Sequence, residues 1–244
     1  MTVMTPDFQG KTVLVTGGAV RAGAAVSRAF AAAGANLVIH CLRSAEAAEA
    51  LRSELGPAHR IAVCDLNDPV AAGNMIREFA PDILINNAAS YSRKTLSEED
   101  EASAAAQYRV NFLTPAAMIR ALAKVRGERE SAVVNILDCA IRQTPHDSFS
   151  YAISKKMLAA ATRAAARQCA PYVRVNAVAP GNMIPPPGSS SRMEKTSARL
   201  PLKRPPDVAD FTRAVLFLAW NRSITGVILP VDCGQSLLYG EEEA

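Results

Sequence analysis

Tyr151 and Lys155 stand four apart in the segment Tyr151-Ala152-Ile153-Ser154-Lys155. On a helix that spacing puts both side chains on one face. A lysine ammonium near a phenol favours the phenolate and lowers the phenol's pKa from about 10. Tyr151 then becomes a usable proton donor to a substrate accepting hydride. A second cluster, Thr16-Gly17-Gly18-Ala19-Val20-Arg21-Ala22-Gly23, follows a short apolar run and opens an Ala-rich stretch. Glycines in that context let the backbone approach a pyrophosphate, and the helix end offers free N–H groups and partial positive charge. Arg21 in the same turn is placed to reach a phosphate or an anionic part of a substrate. The third cluster, His40-Cys41-Leu42-Arg43-Ser44, closes the next apolar run, with no acid until Glu46. An NAD site uses an Asp or Glu here for the ribose 2′-hydroxyl. Arg43 instead offers a fork of donors to a 2′-phosphate, and Ser44 adds a hydroxyl, so NADP(H) is the expected cofactor.

These clusters need elements to hold them. Short β-branched runs are expected as strands at Thr12–Val15, Asn36–Ile39, Ile61–Cys64, Ile83–Ile85, Ala132–Leu137, Val173–Val178 and Val227–Leu229. Between them, helices are expected over Ala22–Ala33, Ala45–Leu55, around Ala104–Lys124, over Ser150–Ala170 and over Phe211–Trp220. Continuously apolar strands, each followed by a helix, indicate a parallel sheet covered on both faces. Right-handed crossovers make it a doubly wound, Rossmann-type α/β fold of about seven strands. No linker divides the chain, so residues 1–244 are expected as one domain. The stretch IPPPGSSS (184–191) follows the sixth strand's carboxyl end, where such sheets bind ligands, and residues 182–204 are expected as a substrate loop or lid.

Composition narrows the class. Hydrophobic residues make up 49% and charged residues 20% of the 244, which excludes disordered and fibrous chains. No apolar run is long enough to span a membrane, and the start MTVMTPDFQGK lacks the regions of a signal peptide. The five cysteines (Cys41, Cys64, Cys139, Cys169, Cys233) show no metal or disulfide spacing, so reduced thiols, no metal and a cytoplasmic location are expected. The net charge of +4 is too small and dispersed to indicate nucleic acid. Its expected place is local: Arg21, His40, Arg43 and Lys155 facing the phosphates of a nucleotide. Phe217 and Trp220 read as core, and His146 as a solvated turn residue.

Taken together, the Gly-rich turn, Asn86-Asn87-Ala88-Ala89 after the fourth strand, Asn111, Tyr151 with Lys155, and Pro180-Gly181 after the sixth strand resemble the short-chain dehydrogenase/reductase family. The resemblance runs from Gly10 to about Leu237. It implies that Tyr151 is the general acid, that Lys155 holds the nicotinamide ribose and tunes Tyr151, and that Asn111 supports a proton-relay water. It also implies cofactor contacts at Gly17, Ala22, Asp65, Leu66, Asn87, Ala88, Pro180 and Gly181. The family's usual catalytic serine is replaced here by Asp138. An ionised aspartate only accepts hydrogen bonds and would repel the oxyanion of ketone reduction. Ser148 and Ser150 are wrongly spaced to replace that serine. Arg21, the His40-to-Ser44 segment, Asp138 and Tyr91 together resemble the pteridine-reductase and dihydromonapterin-reductase branch. That branch implies NADPH-dependent reduction of a dihydropterin or dihydrofolate to its tetrahydro form, with Tyr91 stacking the flat ring and Arg21 touching it. Two other readings stay open: reduction of another carbonyl or imine, such as a 3-oxoacyl thioester, and a non-catalytic NADP-binding sensor. The family's usual association surface implies a homotetramer, with a dimer next.

Overall fold

The structure, a computed structural model, describes residues 6–143, 147–184 and 197–238. Its strands are β1 (Thr12–Val15), β2 (Asn36–Cys41), β3 (Arg60–Val63), β4 (Ile83–Asn86), β5 (Ser131–Ile136), β6 (Val173–Pro180) and β7 (Ile228–Val231). They form one sheet in the order β3-β2-β1-β4-β5-β6-β7, and every neighbouring pair is parallel. The order reverses between β1 and β4, which opens a crevice at the carboxyl ends of those strands. The doubly wound, seven-stranded fold expected from the sequence is therefore the fold found.

Successive side chains along a strand leave on opposite faces, so each strand feeds two cores. Val13, Val15, Ile85 and Val134 pack on one face with Phe30 and Phe211. Leu14, Leu84 and Val133 pack on the other with Met118 and Leu122. The covering helices are α1 (Arg21–Ala32), α2 (Ala45–Leu55), α3 (Pro69–Phe79), α4 (Glu101–Tyr108), α5 (Thr114–Arg126), α6 (Phe149–Gln168) and α7 (Val208–Trp220).

α3 has no counterpart among the elements expected from sequence. Its start is signalled by Asp68-Pro69: Asp68 Oδ1 accepts from the Val70 and Ala71 N–H groups at 2.8 and 3.1 Å, with Pro69 in the first turn. The helix expected around Ala104–Lys124 is α4 and α5 joined by one π-helical turn, Arg109–Leu113. Phe217 is a correction. Phe211, Val215, Leu218 and Ala219 take the buried face of α7, and Phe217 falls on the outer face, 43% exposed.

A polar ladder ties the middle of the sheet to α6. Asn86 Nδ2 donates to Asn135 Oδ1 at 2.8 Å, Asn135 Nδ2 to Thr162 Oγ1 at 2.9 Å, and Thr162 Oγ1 to the Leu158 carbonyl at 2.8 Å. All three side chains are buried. Among the described residues no helix is long and apolar enough to cross a membrane.

Candidate active site

The Gly-rich turn is built on close backbone approach. Gly17 has φ of 60°, a left-handed value that favours glycine. Gly23 sits on the first turn of α1, where a Cβ would lie 2.0 Å from the Gly17 carbonyl oxygen and 2.7 Å from Asn87 Nδ2. Asn87 closes the turn from β4, its Nδ2 donating to the Thr16 and Gly17 carbonyls at 2.9 and 3.3 Å. Thr16 Oγ1 in turn accepts from the N–H groups of Asn87 and Ala88. The side chain of Asn87 thus shapes the turn from within. Ala22 follows in α1 and Ala88 packs beside Gly17.

The first bond inside α1 runs from Ala24 N–H to the Val20 carbonyl. No side chain caps this end and no acid lies in the first turn. The N–H groups of Arg21, Ala22 and Gly23 at the start of α1 are therefore available to an anion. Arg21 holds a positive φ of 50° in this turn. Its Nη2 donates to the Ile184 carbonyl at 3.1 Å, joining the turn to the start of the loop after β6. Most of that expected lid, residues 185–196, lies outside the described residues, as does His146.

His40 differs from its expected role. Its Nδ1 accepts the Gly17 N–H at 3.0 Å, and its Nε2 meets the Cys64 carbonyl at 2.9 Å. The donor to Cys64 is then the Nε2–H tautomer of a neutral ring. Burial pushes its pKa below the ordinary histidine value, against smaller opposing contributions from the Cys64 carbonyl and Asp65. His40 is a neutral brace for the turn, not a cation facing a phosphate. Arg43, by contrast, is exposed at the end of β2, beside Ser44, whose hydroxyl makes no capping bond to α2. Asp65 is exposed, with Oδ1 accepting the Asn67 N–H at 2.8 Å. Leu66 points into the core, so its expected cofactor contact falls to its backbone.

Deeper in the crevice, Tyr151 OH donates to Asp138 Oδ2 at 3.0 Å. Asp138 Oδ1 accepts the Ala140 N–H at 2.8 Å, which fixes the carboxylate. Tyr91 packs its ring edge-on against Tyr151, with centroids 4.9 Å apart at 85°. Ser148 Oγ donates to Tyr91 OH at 3.1 Å. Lys155 is buried, its Nζ donating to the Ile136 carbonyl at 2.8 Å and lying 5.8 Å from the Tyr151 ring centroid. Asn111 sits in the π-turn and joins three segments. It accepts the Ser90 N–H at 2.8 Å and donates to the Ser90 carbonyl and Ser154 Oγ at 2.8 and 3.0 Å. The π-turn offsets the helix so that its buried amide meets α6.

The electrostatics correct one expectation. Burial, then the charge and hydrogen bond of Asp138, push the Tyr151 phenol well above its ordinary value. Lys155 does not offset them. Burial itself pushes Lys155 down to about 8, and the Asp138 charge limits that fall. Tyr151 therefore holds its proton firmly, aimed at a carboxylate.

A cavity of about 370 Å³ opens above this group, lined by Tyr91, Asp138, Gln143, Tyr151, Asn182 and Gln235 among others. Gln143 and Asn182 come from loops and Gln235 from a short 3-10 turn (Gln235–Leu238); only the tertiary fold brings them together, and no local pattern marks them in sequence. Pro180 ends β6 and Gly181 follows it, and a Cβ on Gly181 would lie 2.9 Å from Gln235 Oε1. Among the described residues no group of His, Cys, Asp or Glu is placed to hold a metal ion, and all five cysteines are free thiols.

A turn shaped for a pyrophosphate, a parallel sheet with its crevice at the switch point and a Tyr/Lys pair define a nucleotide-dependent oxidoreductase. The chain belongs to the short-chain dehydrogenase/reductase family: the family model described as enoyl-(acyl carrier protein) reductase matches residues 19–236. It is thus an NAD(P)-dependent oxidoreductase of that family. An uncharacterized oxidoreductase of Mycobacterium tuberculosis is 32% identical, the match covering 92% of this chain and 91% of that one. L-fucose dehydrogenase of Bos taurus is 30% identical, covering 98% and 94%. Among solved structures, the alternative dihydrofolate reductase 1 (FolM) of Brucella canis, complexed with NADP, superposes with a TM-score of 0.88. It is 32% identical and the match covers 96% of this chain and 97% of that one.

Proposed function

We propose that this chain is an NADPH-dependent pterin reductase, converting a dihydropterin or dihydrofolate to its tetrahydro form. The observation that carries the reading is the Tyr151–Asp138 pair, a phenol held protonated against a carboxylate where the family's catalytic serine would stand. A carboxylate accepts N–H bonds, as an amino-substituted heterocycle offers, and repels a developing oxyanion. NADP bound to the Brucella canis relative is consistent with the cofactor choice.

The residues present fit the cofactor. The uncapped end of α1 and Arg21 would take the pyrophosphate, Arg43 and Ser44 the 2′-phosphate, and Asp65 with the Leu66 backbone the adenine side. NADPH, when bound, supplies a hydride to the substrate. Tyr151 delivers its proton to the ring nitrogen of the reduced C=N bond. Asp138 orients Tyr151 and accepts a substrate N–H. Lys155, buried beside the Tyr151 ring, would hold the nicotinamide ribose. Tyr91 covers the cavity and offers a flat face to the ring. A homotetramer is the assembly we propose, with a dimer as the smaller alternative.

The description of the matching family model favours reduction of an enoyl thioester instead. That reading leaves Asp138 opposing the chemistry. Incubating the purified protein with NADPH and dihydropterins, enoyl thioesters or 3-oxoacyl thioesters, and following nicotinamide absorbance, separates these readings. Turnover of a dihydropterin is expected. Turnover of thioesters alone overturns the proposal, and tight NADPH binding with no turnover at all points to a sensor. Arg43→Ala should weaken NADPH about 10- to 100-fold, the worth of a charged hydrogen bond, and leave NADH unaffected. Equal losses in fluorescence titrations with both nucleotides would remove Arg43 from the 2′-phosphate.

A further inference from the structure

A larger cavity, about 680 Å³, lies at the opposite end of the sheet. It is lined by the amino ends of β4, β5 and β6 and by the segment that follows α7, whereas the Gly-rich turn and Asp138 follow strand carboxyl ends. Its size is that of a small-molecule site. Phe8, Tyr172 and Trp220 are the aromatic residues of its lining.

Arg174 supplies its charge. The guanidinium is held by three carbonyls: Nη1 donates to Leu218 and Ile224 at 2.9 and 3.2 Å, and Nη2 to Ala219 at 2.6 Å. Among the described residues no carboxylate lies within ion-pair distance of it, although it is partly buried. The acids in the cavity have other partners, although the Glu130 charge also acts on Arg174. Asp82 pairs with Arg126 at 2.6 Å, Glu130 with Arg222, and Asp7 accepts the Gln9 N–H at 2.9 Å. The carboxyl end of α7 offsets about half a charge. Lys11 adds a further cation to the lining. A half-buried guanidinium with three of its five N–H groups held by carbonyls, in a cavity that aromatic side chains also line, is suited to a flat anion.

We propose that this cavity is a second ligand site, separate from the catalytic crevice, that takes a small planar aromatic carboxylate. Trp220 is the chain's only tryptophan and lines this cavity, so its emission is a probe of it. Benzoate titrated into the full-length protein should change that emission saturably, and saturating NADPH should leave the benzoate affinity unchanged. Benzyl alcohol, which lacks the charge, should bind about tenfold more weakly. Arg174→Gln should cause the same loss. Because Arg174 also holds the end of α7, Ser223→Phe is the second variant: Ser223 is an exposed residue of the lining, and phenylalanine there should fill the cavity and abolish the response. Absence of a saturable change, equal binding of benzyl alcohol, displacement by NADPH, or an unaltered response in Ser223→Phe would each overturn the proposal.

Discussion

Tyr151→Phe is expected to lower kcat for pterin reduction about 10³-fold, within the about 10²- to 10⁴-fold range of a positioned general acid. Asp138→Asn should cost a similar factor. Asparagine keeps the bond that caps the Ala140 N–H, so the loss isolates the charge rather than the local fold. The two groups share one hydrogen bond of 3.0 Å and act on one proton. The double variant should therefore be no slower than the slower single one, since residues that work as a unit are non-additive. Asp138→Asn should also bring the Tyr151 phenol down, because the Asp138 charge is one of the contributions that raise it. Ultraviolet difference titration of the phenols reads that shift. Multiplying losses in the double variant, or unchanged pterin kinetics in Asp138→Asn, would reduce Asp138 to a cap.

The second large effect is steric. Gly23→Ala would drive a methyl group to 2.0 Å from the Gly17 carbonyl, a backbone atom that can move only by opening the turn. A destabilisation of about 3 kcal/mol, the upper end for overpacking, is expected in urea unfolding. NADPH affinity should fall at least about 100-fold, because the opened turn no longer presents its N–H groups together. Gly73→Ala is the matched control. It is also helical, but its nearest neighbour is the Arg77 guanidinium at 3.7 Å. There the better helix propensity of alanine should add about 0.5–1 kcal/mol. A Gly23→Ala protein with wild-type stability and NADPH binding would mean that the turn and helix can separate without consequence.

Much of this was legible in the residues. Unbroken apolar runs such as Val13-Leu14-Val15 dictate a sheet buried on both faces, and the glycines after β1 dictate a turn of close approach. α3 was harder to read because Asp68-Pro69 resembles a turn, and because Gly73 interrupts its short apolar stripe. Side-chain direction was the other obstacle. Residue type marks His40 as a cation beside a phosphate, yet both faces of β2 are buried, and there a lone pair accepting the Gly17 N–H is worth more than a charge. In the same way, Tyr/Lys spacing suggests an acidified phenol. The pairing of Tyr151 with Asp138 depends on where β5 ends relative to α6, which no local pattern encodes.

The polar ladder through Asn86, Asn135 and Thr162 has a bearing on catalysis. α6 is largely alanine over its middle, so its packing surface is nearly smooth. Smooth surfaces permit several rotations about the helix axis at similar energy. The amide of Asn135 meets a hydroxyl at only one of them, and the Lys155 ammonium reaches the Ile136 carbonyl at that same one. Those directional bonds act as an indexing pin, selecting the angular setting at which the phenol of Tyr151 faces the crevice.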